Sequence, residues 1–414
     1  MSEIQTTEKS YRYVIGAVCF GIQAVGIGIF VSYGVFFSSL HEEFGWSRTI
    51  ISGASSLAFF LIGFFAIFVG RLNDKVGPRK LMIVTSCFVG LGFLLMSRLQ
   101  TTWQLYLFYG IAVGIGLSSI DVISLSTTTR WFVRNRGMVT GMVKVGTGAG
   151  QLIVPLIASL LITNYGWRTA YVVIGITGMI SLALLGWFLR RDPGQMVVSA
   201  VDKKGVPIKN QEDDDKSLSL GQAIHTIQFW ILCIVNFSVV FCLLIVLVHI
   251  VPFARDLHIS SAKAAGVIST IGGVSMVGRF ATGIFIDRFD SRKATILCFI
   301  LLISTLLWLQ ITNNLWMIYV FAAFYGLAHG GFFTAISPIV AEYFGIRSHG
   351  VLFGLIVFSG CLGGSVGPIL AGYIFDTTGG YSPAFWLSTL VALTGLGFII
   401  FLKPVKKIEN LSQI

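Results

Sequence analysis

Charge is scarce in this chain. Of its 414 residues only 11% are charged, and the 18 acidic residues are outnumbered by 29 Lys and Arg. A soluble domain carries about a quarter of its residues charged, so this composition excludes a water-soluble fold and fits a chain that lies in lipid. Cysteine is equally thin: Cys19, Cys87, Cys233, Cys242, Cys298 and Cys361 fall singly inside apolar runs, without CxxC spacing. That excludes a disulfide framework or a metal site and leaves them as small core residues. No nucleophile with a partnered base and no phosphate-cradling loop is present, so neither an enzyme nor a cofactor is expected. The opening residues, MSEIQTTEKSYRY, lack the layout of a cleavable signal peptide. The net charge of +11 would suit nucleic acid, but the basic residues sit in short loops between apolar runs. That pattern sets membrane topology and predicts a lipid bilayer as partner, with no nucleic acid.

Those runs dominate what remains. They lie at about residues 13–38, 49–70, 80–97, 104–129, 137–163 and 168–189, then 225–252, 262–286, 293–312, 315–343, 349–375 and 382–402. Each is long enough for a helix to cross a hydrocarbon core of roughly 30 Å, which predicts an all-α membrane protein of twelve transmembrane helices. With both termini in the cytoplasm, the outer loops hold only Arg48, Arg98, Arg168, Arg255 and Lys263, while Lys144 and Arg279 lie within runs. The bias toward the inner side fixes that orientation, in a cytoplasmic or inner cell membrane. One long polar segment interrupts the series. It divides the chain into residues 1–190, a cytoplasmic linker at 191–224, and residues 225–414, giving two six-helix bundles.

The two bundles resemble each other. Gly70-Arg-Leu-Asn-Asp74-Lys75-Val-Gly-Pro-Arg79-Lys80 and Gly283-Ile-Phe-Ile-Asp287-Arg288-Phe-Asp-Ser-Arg292-Lys293 share G-x-x-x-D-[KR]-x-x-x-R-K at an offset of 213, which also maps Gly137 onto Gly350 and Pro155 onto Pro368. A duplicated unit places a substrate site near the midplane between pseudo-symmetric bundles. GRLNDKVGPRK resembles the loop signature between helices 2 and 3 of the major facilitator superfamily (MFS), and the likeness in helix count and duplication spans nearly the whole chain. Two further stretches are similar to the monocarboxylate transporters and their oxalate/formate relatives. One runs from Trp131-Phe132 through Arg134 and Arg136 to Gly141, Gly146 and Gly150. The other is His249-Ile-Val-Pro252-Phe-Ala-Arg255-Asp256 leading to Gly278-Arg279.

The resemblance implies a twelve-helix transporter of the MFS fold with a cytoplasmic gate, latched when the molecule opens outward. Asp74 and Asp287 end helices where backbone carbonyls or a neighbouring helix N-terminus can hold them, and Arg79, Lys80, Arg292 and Lys293 lie at headgroup level. The gate is expected to comprise Asp74, Arg79, Lys80, Asp287, Arg288, Arg134 and Arg136. The plainer reading of the basic residues is that they only fix topology. The glycines of helices 5 and 11 read as packing and hinge positions.

Three charges lie inside the membrane. Arg279 is eight residues from the polar sequence at Asp287, about 12 Å deep, where a guanidinium costs several kcal/mol unless it faces a partner or a wet cavity. It is expected to bind an anionic ligand; a structural pairing with a carboxylate is the alternative. Asp121 and Lys144 lie at matching depth on helices 4 and 5 and are expected to pair. Either they only satisfy each other, or anion arrival loosens Asp121 from Lys144 and Asp121 takes up a proton. If Lys144 instead joins Arg279, a dicarboxylate becomes the substrate. His329 can carry a proton near neutral pH or simply pack between helices. Tyr33, Ser119, Asn236 and Phe358 are candidate cavity residues.

Departures from the family matter here. Animal monocarboxylate transporters have an acidic residue one turn before the helix 8 arginine, where this chain has Ser275, and a lysine on helix 1 where it has Val31. The oxalate-type relatives place a second cation on helix 11, and no Lys or Arg lies between Val351 and Tyr373. The function expected is proton-coupled transport of a small organic monocarboxylate by a monomer. The alternatives are an oxalate/formate-type exchanger and a non-transporting membrane sensor.

Overall fold

In the computed structural model of the chain, residues 2–133, 135–192 and 217–403 are described, and every long element among them is a helix. Segment 193–216, which holds most of the expected linker, lies outside the described residues. Eleven helices are long and apolar enough to cross a bilayer. The first three are α1 (Ser2–Phe44), α2 (Arg48–Val76) and α3 (Pro78–Met96). α4 (Thr102–Trp131) carries a π-helical stretch at Tyr106–Val113.

The next helix, Arg136–Phe188, is 53 residues long but breaks at Gly166, where φ is 81° and ψ 157°. L side chains avoid that conformation and glycine does not. Residues 136–165 therefore form α5 and residues 167–188 form α6, and the spans number twelve. After a short turn at Leu220–Ile224 come α7 (Ile227–Asp256), α8 (Ser261–Arg288), α9 (Ser291–Gln310), α10 (Leu315–Phe344), α11 (His349–Thr378) and α12 (Ser382–Phe401).

Local chemistry sets the helix ends. Ser47 caps α2 by accepting from the Ile50 amide at 3.3 Å. Gly77, at φ 91°, separates α2 from α3, and α3 opens on Pro78, a residue that lacks the amide a first turn leaves unpaired. α2 thus runs six residues beyond the apolar run at 49–70 and carries Asp74 on its last turns.

The distribution of side chains is inverted relative to a soluble protein. Phe68, Leu160, Ile369 and Leu390 are more than half exposed, whereas Gln23, Lys144 and Arg279 are buried. Hydrocarbon accepts the first group on the outside and forces the second inward. The chain is a multi-pass membrane protein. Its two bundles, α1–α6 and α7–α12, meet chiefly where α2 crosses α11 and α5 crosses α8.

Candidate functional site

The two crossings are built alike. A Cβ on Gly350 would lie 2.7 Å from the Gly70 carbonyl oxygen, and one on Gly137 would lie 2.5 Å from that of Gly283. One turn further along, Gly354 faces the carbonyl of Ala66 and Gly141 that of Arg279. Each of these positions repeats after 213 residues. Glycine is needed because the backbones touch. Gly141→Leu would force α5 and α8 apart at a cost of about 1–3 kcal/mol. The expected result is uptake reduced roughly tenfold to a hundredfold in reconstituted vesicles, with an unchanged gel-filtration profile.

A carboxylate closes each crossing. Asp74 accepts from the amides of Gly350 (3.2 Å) and Val351 (3.0 Å) at the start of α11. Asp287 accepts from Gly137 (2.7 Å) and Met138 (2.8 Å) at the start of α5. First-turn amides have no partner within their own helix and carry the positive end of its dipole, so each latch joins an anion of one bundle to a helix of the other.

Arg130 adds an ion pair to Asp74 at 2.6 Å, with Asp192 at 3.6 Å. In sequence Arg130 marks only the end of a span, and nothing there singles it out. Two other basic residues of the signatures, Arg79 and Arg292, turn to their own bundle. Arg79 stacks 3.5 Å over the Trp187 ring of α6, and Arg292 donates to the carbonyls of Ile399 and Ile400 at the end of α12. Lys80 and Arg288 are exposed, Arg136 opens α5, and Arg134 lies outside the described residues.

The centre lies deeper along the same helices. Arg279 is 1% exposed, and its Nε and Nη1 are buried with no hydrogen-bond partner. A Cβ on Gly148 of α5 would stand 3.1 Å from Nη1, so the guanidinium points across to the opposite bundle. There Lys144 donates to Asp121 Oδ1 at 2.6 Å. Lys144 is buried, while the Asp121 side chain keeps 30% of its surface exposed. The charge of Arg279 acts on Asp121 and on His329. His329 Nδ1 is likewise buried without a partner, and its ring lies 5.2 Å from that of Phe333. The Lys144 ammonium sits 5.8 Å over the same Phe333 ring. The space so framed offers an unpaired guanidinium, an unpaired imidazole nitrogen and a carboxylate already engaged by a cation. Such a set can take up a small anion and exchange a proton.

Comparison with known proteins identifies the family of the chain. The profile described as Major Facilitator Superfamily matches residues 17–303 and 254–414. The chain belongs to that superfamily. A mouse protein named monocarboxylate transporter 12 is 23% identical over 92% of this chain and 82% of its own length. The oxalate:formate antiporter of Oxalobacter formigenes is 26% identical over 93% of this chain and 91% of its own. Among solved structures, the proton:xylose symporter XylE aligns with a TM-score of 0.76 at 13% identity, covering 96% of this chain and 97% of that one. At that identity the likeness is one of fold alone. This MFS member is therefore a transporter and not an enzyme.

The remaining candidate residues of this MFS transporter do not converge on the centre. Tyr33 is buried, donates to the Ile51 carbonyl at 2.7 Å and stacks on Tyr109 with ring centroids 3.9 Å apart. Ser119 turns to α3, its hydroxyl 2.8 Å from that of Thr85. Asn236 ties α7 to α11 through the Ile356 carbonyl at 2.7 Å. Phe358 sits edge-on to Phe60 and Phe64 of α2, in the α2–α11 crossing. Ser275, one turn before Arg279, is buried and back-bonds to the Gly272 carbonyl at 2.7 Å. Gln23 of α1 was absent from the candidates, yet it touches both members of the central ion pair. It is the one amide in the run at 13–38, a signal that could have found it.

Proposed function

We propose that this transporter carries a small organic monocarboxylate together with a proton, by rocking of the two bundles about the central charges. The observation that carries the reading is the Arg279 guanidinium, buried with Nε and Nη1 unpartnered. The attraction of Asp121 offsets burial of this cation only in part, whereas a carboxylate that grips it bidentately would complete the offset. Asp121, which shares its charge with Lys144 and keeps part of its surface open, is the proton carrier in this reading, with His329 as an auxiliary donor to the substrate. The latched ends face the cytoplasm, as do both termini, in the cell membrane. The chain works as a monomer, with residues 1–190 and 225–414 as the moving units and 191–224 as a tether. The pairs Asp74–α11 and Asp287–α5 support an outward-opening arrangement, since they hold the inner ends together.

The test is uptake of labelled lactate into proteoliposomes with and without an inward proton gradient. Gradient-driven uptake is expected in the wild type, and loss of the gradient's effect in Asp121→Asn. The second reading, an anion exchanger, is favoured by Lys144 facing the same space, because a cation released from Asp121 could hold a second carboxylate. It predicts exchange in vesicles preloaded with oxalate or formate and no response to the gradient.

A further inference from the structure

We propose that Gln23 is a positioning residue that sets the charge state of Asp121 and catches Lys144 when Asp121 is neutralised. The proposal rests on the reading of Asp121 as the proton carrier. Gln23 is fully buried, and four side chains surround its amide. Nε2 donates to Asp121 Oδ1 and to Ser124 Oγ, both at 2.7 Å. Oε1 accepts from Thr147 Oγ1 at 2.8 Å and faces Lys144 Nζ at 3.5 Å.

Chemistry permits only this orientation. An ammonium has no lone pair to offer and a carboxylate no proton, so the oxygen must face Lys144 and the amine must face Asp121. Ser124 gives its own proton to the Ile120 carbonyl at 2.5 Å and can receive the amide. Every donor and acceptor of Gln23 is thereby used while Asp121 is charged.

The groups that act on Asp121 come from several helices: Lys144 on α5 and Arg279 on α8, with Cys361 of α11 within reach of its charge and His329 of α10 in the field of the same two cations. Among the described residues nothing bonds Asp121 Oδ2, and it is the atom open to a proton from water. When Oδ2 takes that proton the carboxyl becomes neutral, and Oδ1 becomes a poorer acceptor for both of its donors. Lys144 then moves the short distance to Gln23 Oε1, and the positive charge it no longer shares with Asp121 is met by the arriving anion. The amide nitrogen favours the charged carboxylate, and the amide oxygen provides the ammonium with its second resting place.

The test is the pH profile of lactate uptake by wild type, Gln23→Met and Thr147→Val in proteoliposomes, with counterflow at fixed pH as a control. Met matches glutamine in size without its donors, and Val removes the hydroxyl that orients the amide. Losing the 2.7 Å donor to the charged form favours protonation, losing the oxygen that receives Lys144 at 3.5 Å opposes it, and the shorter contact dominates. The midpoint is therefore expected to move alkaline by about one pH unit in Gln23→Met and by less in Thr147→Val, with counterflow within a few-fold of wild type. A lowered rate in both variants with an unmoved midpoint overturns the proposal while leaving the function standing. If Gln23→Met does not fold, the midpoint of Thr147→Val decides. A wild type whose uptake ignores pH removes the reading of Asp121, and the proposal with it.

Discussion

Arg279→Gln is expected to lower the specificity constant for carboxylate uptake at least about a hundredfold while raising the thermal stability of the unliganded protein. Hydrogen bonds to a charged group contribute about 1.5–3 kcal/mol each, so loss of a bidentate contact reaches that magnitude readily. The gain in stability follows from the empty state, in which a guanidinium 1% exposed leaves Nε and Nη1 unpaired. Removing a buried charge without a hydrogen-bond partner at Nε and Nη1 relieves a desolvation cost that the charge of Asp121 offsets only in part. A structural arginine would behave in the opposite way, because deleting one member of a buried pair destabilises by about 3–5 kcal/mol. The sign of the change in unfolding temperature, read beside the uptake rate, therefore decides between the two roles. Arg279→Lys keeps the charge but not the planar fork, and should recover only a small part of the activity. Full uptake by Arg279→Gln would remove the central element of the proposed mechanism.

The second large effect concerns the latches, which look equivalent and should not be. Asp74→Asn leaves the amides of Gly350 and Val351 an acceptor but takes the nearer of two ion partners from Arg130, whose side chain is 5% exposed and keeps only Asp192 at 3.6 Å. Breaking a buried pair costs about 3–5 kcal/mol. Both partners lie in the first bundle, so the equilibrium shifts by the part of that cost incurred only while α11 covers them, which a balance within a few kcal/mol still registers. Asp287 is exposed, and its hydrogen bonds among the described residues are to the backbone amides of Gly137 and Met138. Asp287→Asn should therefore shift the equilibrium much less, the effect of a surface helix cap. Spin labels at positions 71 and 347, both exposed and on opposite sides of the α2–α11 crossing, would report it in a cysteine-free background. The long-distance population should rise strongly for Asp74→Asn and slightly for Asp287→Asn. Equal shifts would mean that the Arg130 pair carries no share of the latch.

How far the site could be read in advance varies residue by residue. Asp121 and Lys144 could be paired by counting depth along two sequential helices, because a lone charge in hydrocarbon must find the nearest opposite charge. The repeated aspartates could be placed at helix ends against a neighbour's backbone because duplication supplies two of each part, but only packing showed that first-turn amides, and not carbonyls, hold them. Arg79 is different: a basic residue at a loop reads the same whether it guards a gate or, as here, stacks on Trp187 of its own bundle. Ser119 and Tyr33 show a second limit. A hydroxyl in a helix can face any of several neighbours, and both of these found partners at the back of their helices, with Thr85 and the Ile51 carbonyl.

Composition and hydropathy by themselves determined the spans and the presence of buried charges, since each follows from how one segment partitions into lipid. The repeated G-x-x-x-D-[KR]-x-x-x-R-K motif showed the duplication, and the likeness of GRLNDKVGPRK to a known loop signature pointed to the superfamily. Tertiary structure decided which charges are satisfied and which are not. Arg279 and Lys144 are both single cations in apolar runs, yet one meets a carboxylate at 2.6 Å while the other leaves Nε and Nη1 without a partner. That difference depends on the rotation of α4, α5 and α8 about their axes, which close packing at Gly137, Gly141 and Gly283 sets across the bundles and which no single helix encodes.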